Sequence, residues 1–184
     1  GGGQFELPGE GLALHRPELD DARRFAKDPA LDAAIGERFG ATLQAAILGE
    51  LEAWRATPEG RLAEIIVLDQ FSRNVWRDTP RAFSQDPQAL CLAQEFVRTG
   101  QDRALSPAQR AFAYMPYMHS ESRLIHEQAV ALFSQPGLEG SLSFERRHQA
   151  IIARFGRYPH RNGILGRVST PEEVAFLAEP GTSF

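Results

Sequence analysis

Three stretches hold side chains able to do acid–base or anion chemistry. In "LDQFSRN", residues 68–74, Asp69 and Arg73 stand four apart, so on a helix they share a face. In "YMPYMHSES", residues 114–122, His119 and Glu121 follow a proline. "RFGRYPHRN", residues 154–162, sets Arg157, His160, Arg161 and Asn162 on a bend made by Gly156 and Pro159. Arginine offers a planar fork that matches a carboxylate or phosphate. A histidine held by a carboxylate can serve as a general base.

Charge is distributed unevenly. The 184-residue chain carries a net charge of −4, yet no acid lies between Glu145 and Glu172, where six arginines fall. Lys27 is the sole lysine. A negative balance, a pI near 5.8 and scarce lysine argue against nucleic-acid binding. No apolar run reaches the length of a membrane span. The single cysteine, Cys91 within "ALCLA", excludes an intrachain disulfide. It reads as a buried structural thiol, and the chain as cytoplasmic.

The elements that must position these groups announce themselves by their caps. Asp28, Thr57, Asp86, Ser106 and Thr170 each precede a proline, the pairing of an N-cap acceptor with the residue best suited to a first helical turn. Thr170 with Glu173 forms a capping box. Apolar residues then recur at helical spacing, as in Leu31, Ile35, Phe39, Leu43 and Ile47. Pro116 is expected to end one helix, placing His119 and Glu121 at the start of the next. "SQPGLEGSLS", 134–143, reads as a loop. No segment alternates with period two for long enough to be a strand. The expectation is an all-α protein of six to eight helices, one domain over residues 1–184. Residues 1–27 are left unassigned, and the opening "GGGQF" is set aside. The even spacing of Asp28, Thr57 and Asp86 suggests stacked helical pairs.

On the helix from Pro58, Leu62, Ile66, Asp69 and Arg73 form one stripe, while Leu68, Phe71 and Val75 cover another side. Asp69 is therefore expected to be buried, and a buried carboxylate must be paired.

"LDQFSRN", "HSE" (119–121), "RFGRYPHRN" and "LGRVSTPEE" (165–173), in that order, resemble the bacterial family known as domain of unknown function 924. The resemblance runs from about Asp28 to the C-terminus. It implies an all-α fold similar to a right-handed tetratricopeptide array, and no defined activity. The tryptophan-bearing apolar opening of that family is not seen before Asp28.

The main functional expectation is a groove where Asp69, Arg73, His119, Glu121, Arg157, His160 and Arg161 meet, with Asn162 beside them. It would bind a small anionic molecule or an acidic peptide end, gripped chiefly by Arg157 and Arg161. A hydrolase is the second reading, with His119 or His160 as general base and Asp69 or Glu121 fixing its tautomer. No nucleophile elbow, phosphate-binding glycine loop or cysteine dyad supports it. A two-histidine, one-carboxylate metal set from His119, Glu121 and His160 is disfavoured by the arginines, so neither metal nor cofactor is expected. His126 and His148, read at surface or boundary helix positions, receive no role, nor does His15. Two further readings are a ligand-free polar network locking the C-terminal loop, and a concave face for a protein partner.

Overall fold

The computed structural model describes residues 4–7, 12–15 and 28–183. An antiparallel hairpin pairs β1 (Gln4–Leu7) with β2 (Leu12–His15), in a register running from Gln4 opposite His15 to Leu7 opposite Leu12. The sequence does not announce it, because four residues are too few for alternation to register.

From residue 28 to 183 the regular elements are all helical. In order they are α1 (Pro29–Ile47), α2 (Pro58–Ile66), a π-helical turn (Val67–Phe71), α3 (Ser72–Val75), α4 (Asp86–Arg98), α5 (Pro107–Met118), α6 (Arg123–Phe133), α7 (Glu139–Phe155), α8 (Asn162–Leu165) and α9 (Pro171–Leu177). Short 3₁₀ turns such as Pro80–Phe83 and Pro159–Arg161 link them.

Four of the five anticipated caps form. Asp28, Thr57, Ser106 and Thr170 accept from the amides of Leu31, Gly60, Gln109 and Glu173, and both Ser106 and Thr170 complete capping boxes. Asp86 does not cap α4, whose N-cap position is Gln85 and has no side-chain bond. Its carboxylate is engaged elsewhere.

Helix α2 and the π turn are central, packing against α1, α4 and α5, and successive helices α4 to α7 pack each on the next. The core takes Phe39, Leu43, Leu62, Leu68, Phe96, Tyr114 and Phe133, all essentially solvent-free. Each contributes about 1.5–3 kcal/mol by leaving water. Phe39 stacks on Phe71 with centroids 4.9 Å apart.

Further sequence readings need correction. Pro116 lies inside α5, which continues to Met118; burial of Ala113 to Met118 in the core outweighs the missing amide. Consequently His119 sits at the C-terminal end of α5, not at a helix start. The 134–143 stretch is a loop only as far as Leu138, since α7 begins at Glu139. Cys91 is exposed, because Ala89 and Ala93 rather than Cys91 face the core from α4.

Candidate functional site

The site begins at the π turn. A π turn adds one residue to the helical cycle and re-aims the side chains it carries, a device common at functional sites. Here it sends Asp69 inward, 1 % exposed. One carboxylate oxygen lies 2.7 Å from His119 Nδ1 and 3.4 Å from Arg73 Nη1, and the other accepts from Gln70 Nε2 at 2.8 Å. Arg73 Nη1 also donates to the Asp69 backbone carbonyl at 2.9 Å.

Arg73 turns its fork on Asp86, with Nη1 and Nη2 donating to the two oxygens at 2.7 and 2.9 Å. This explains the missing cap on α4. A bidentate charged pair shielded from water outweighs the single bond a cap would make. Sequence reasoning assigned Asp86 to the cap because Asp-Pro announces one. The pairing with Arg73, 13 positions away, has no local signature.

Arg161 comes from the Pro159–Arg161 turn and is 6 % exposed. Its Nη2 donates to the His119 carbonyl at 3.1 Å, and Nη1 stands 3.9 Å from Asp86. The guanidinium lies between the rings of Phe83 and Tyr158, 4.5 and 4.7 Å from their centroids. Its buried Nε has no hydrogen-bond partner among the described residues. Burial, together with the nearby charge of Arg73, weakens its hold on its proton relative to an ordinary arginine. Among the described residues, Arg161 is left with buried donor capacity still to fill.

His119 joins these groups to open space. An ionised carboxylate only accepts, so His119 Nδ1 carries the proton it donates to Asp69 and Nε2 keeps a lone pair. Burial opposes the charge on Asp69, but the His119 ring and Arg73 outweigh it and hold the carboxyl below its usual range. Burial and Arg73 also pull the imidazole below its ordinary value, favouring the neutral ring. Hydrogen bonds among the described residues leave Nε2 unengaged. His119 lines a cleft of about 410 Å³ together with Phe83, Asp86, Pro116, Glu121 and Arg161.

The backbone carrying His119 is gripped at three successive carbonyls. Tyr158 OH donates to Met118 at 2.6 Å, Arg161 Nη2 to His119, and His126 Nε2 lies 2.6 Å from the Ser120 oxygen. Behind it, His126 Nδ1 is 2.7 Å from Glu145, and both residues are fully buried. Burial raises the Glu145 carboxyl above its ordinary value even though His126 pulls the other way. His126 and His148 are thus interior residues, contrary to the surface reading. The signal was present: His126 shares a stripe with Ala129 and Phe133, and His148 with Glu145 and Ile152. Burial depresses His148 to about 3, and His160 to about 4 with help from Arg161. His160 packs 5.7 Å from the Tyr158 ring and does not line the cleft.

The remaining anticipated residues belong to a clamp on the C-terminal segment. Glu121 borders the cleft, but its oxygens accept from Arg167 at 2.8 and 3.0 Å and from the Tyr158 amide at 2.7 Å. Arg157 forks Glu173 at 2.9 and 2.6 Å and donates to the Val168 carbonyl. Asn162, 1 % exposed, accepts from Arg167 and donates to Ser169 and Glu173. The Arg157 hydrogen bond holds the Glu173 carboxyl down at about 2. The structure therefore gathers Asp69, Arg73, His119, Glu121 and Arg161. It places Arg157, Asn162 and His160 apart from the cleft. No three histidine, cysteine or acidic side chains gather at metal-binding range among the described residues.

A helical scaffold around a buried Asp–Arg–His cluster defines the class of this molecule, and comparison with known proteins narrows it. The chain belongs to DUF924, a family of bacterial proteins of unknown function, whose model matches residues 13–181. Among solved structures it is similar to the protein of unknown function ATU0120 from Agrobacterium tumefaciens. The two are 38% identical with a TM-score of 0.81, over 88% of this chain and 91% of that one. No curated protein matches. No helix among the described residues is long and apolar enough to cross a membrane.

Proposed function

We propose that the protein binds a small anionic ligand, headed by a carboxylate or phosphate, in the cleft between the π turn, the Pro80–Phe83 turn and the Pro159–Arg161 bend. The observation that carries this reading is Arg161: a buried guanidinium on the cleft wall, flanked by two rings, with only one good acceptor among the described residues. A buried cation short of acceptors costs free energy that an incoming oxyanion recovers. The rings of Phe83 and Tyr158 preset the plane of the fork, so little entropy is lost on binding. The cleft is within the size range of small-molecule sites, about 300–1,000 Å³. The free carboxylate of an acidic peptide end offers the same oxygens.

Isothermal titration with butyrate and with inorganic phosphate tests this. Saturable binding of at least one is expected. Arg161→Gln should weaken it about 10- to 100-fold, the effect of one or two hydrogen bonds to a charged group. Binding unchanged in Arg161→Gln would remove the basis of the reading.

A further inference from the structure

We infer that the cleft hydrolyses small esters with a short apolar acyl group, His119 serving as general base, Asp69 positioning it and Arg161 facing the carbonyl oxygen. This rests on the ligand-binding reading and names the substrate class for that site.

Three arrangements support it. First, the Asp69–His119 bond of 2.7 Å fixes the tautomer with Nε2 deprotonated, in a residue that lines the cleft. A site that merely held an anion would have no use for a ring kept neutral beside it. Second, the segment bearing His119 is held at the carbonyls of Met118, His119 and Ser120 by three different side chains. Such bracing keeps a reacting group within the tolerance that catalysis requires. Third, the cleft lining combines apolar side chains, Phe83, Pro87, Leu90 and Leu165, with Arg161 and His119. That combination suits an acyl chain ending in a carbonyl.

Water is the nucleophile. Neither serine hydroxyl on the cleft is hydrogen-bonded to the His119 ring: Ser84 Oγ donates to the Arg81 carbonyl at 2.7 Å, and Ser120 Oγ accepts from the Ser122 amide at 3.2 Å. His119 Nε2 takes a proton from water as the oxygen bonds to the carbonyl carbon. The carbonyl electron pair moves onto its oxygen, opposite the Arg161 guanidinium, which stabilises the developing charge. On collapse the C–O bond breaks, and the departing alkoxide takes the proton back from Nε2. Ester and water become alcohol and acid, and the acid ionises to a carboxylate with its oxygen already at Arg161. Product binding and anion binding are then the same contact.

The test uses p-nitrophenyl acetate, butyrate and hexanoate with the full chain, and butyrate as product. Expected are saturable release of p-nitrophenolate and competitive inhibition by butyrate. His119→Asn keeps an amide donor for Asp69 while deleting Nε2. It should lower kcat about 10²-fold or more yet still bind butyrate. Asp69→Asn is the second variant and should lower kcat without raising KM to match. Cooperative melting of each variant establishes that it is folded. Butyrate binding with no hydrolysis of any ester, or with hydrolysis unaffected in both variants, overturns the catalytic inference and leaves the ligand-binding reading standing. Absence of binding by butyrate and phosphate alike overturns both.

Discussion

The C-terminal clamp and the Asp–Arg–His cluster beside the cleft are made from the same parts, arginine forks and carboxylates, but they close differently. In the clamp, Arg157, Arg167, Glu121, Glu173 and Asn162 satisfy one another and the backbone through bonds of mostly 2.6–3.1 Å. In the cluster beside the cleft, Asp69 and Asp86 engage both terminal nitrogens of Arg73, while Arg161 stands 3.9 Å from the nearest carboxylate oxygen with Nε unpartnered. The clamp is finished as it stands. The cleft holds a shortfall of acceptors on one cation, and a shortfall beside open volume is a place for a ligand. A polar cluster is read for function by what it leaves unsatisfied, not by how many charges it contains.

The largest expected effect comes from removing Arg73, the cation that bonds both Asp69 and Asp86. Among the described residues, Arg73→Met leaves Asp69 with only the neutral donors His119 and Gln70, and Asp86 with only Arg161 at 3.9 Å. It should cost about 3–5 kcal/mol, lowering Tm by about 10 °C in a chain of this size. Thermal melts would show it, and part of the loss should be recovered at acid pH as one carboxyl protonates.

Next in size is the clamp itself. Glu173→Gln should lower Tm by about 5 °C at neutral pH. Because the folded carboxyl sits at about 2, below its ordinary 4.5, its stabilisation is complete above pH 4.5. It is lost as pH falls from there toward 2, so wild type and variant should converge across that window. Arg157→Ala should cost less, about 3 °C, and leave anion affinity as in wild type. An affinity loss in Arg157→Ala would erase the division between the two regions.

Much of this was legible in the sequence and some was not, for identifiable reasons. The caps at Asp28, Thr57, Ser106 and Thr170 are local contracts between a side chain and an amide three residues on, so sequence reveals them. Asp86 carries the same signature and was drawn away by Arg73, a tertiary competitor no local rule contains. Pro116 misled because core burial overrode a local breaker. The inward stripe of Asp69 follows from apolar patterning, while its meeting with His119 and Arg161 is tertiary and no local pattern contains it. Which arginine of the 154–162 bend faces the cleft is equally unmarked. Arg157 and Arg161 differ only in whether Glu173 or the rings of Phe83 and Tyr158 lie beside them.

That difference supplies the most direct measurement. Arg161→Gln should shift Tm less than Arg73→Met, Glu173→Gln or Arg157→Ala, by no more than about 2 °C, because it relieves a buried cation that is short of partners. In the same protein, titration calorimetry should find butyrate or phosphate affinity down by about 10-fold or more. Stability kept and affinity lost is the result the account requires. A Tm loss as large as that of Arg73→Met with affinity intact would make Arg161 one more staple of the fold, and contradict it.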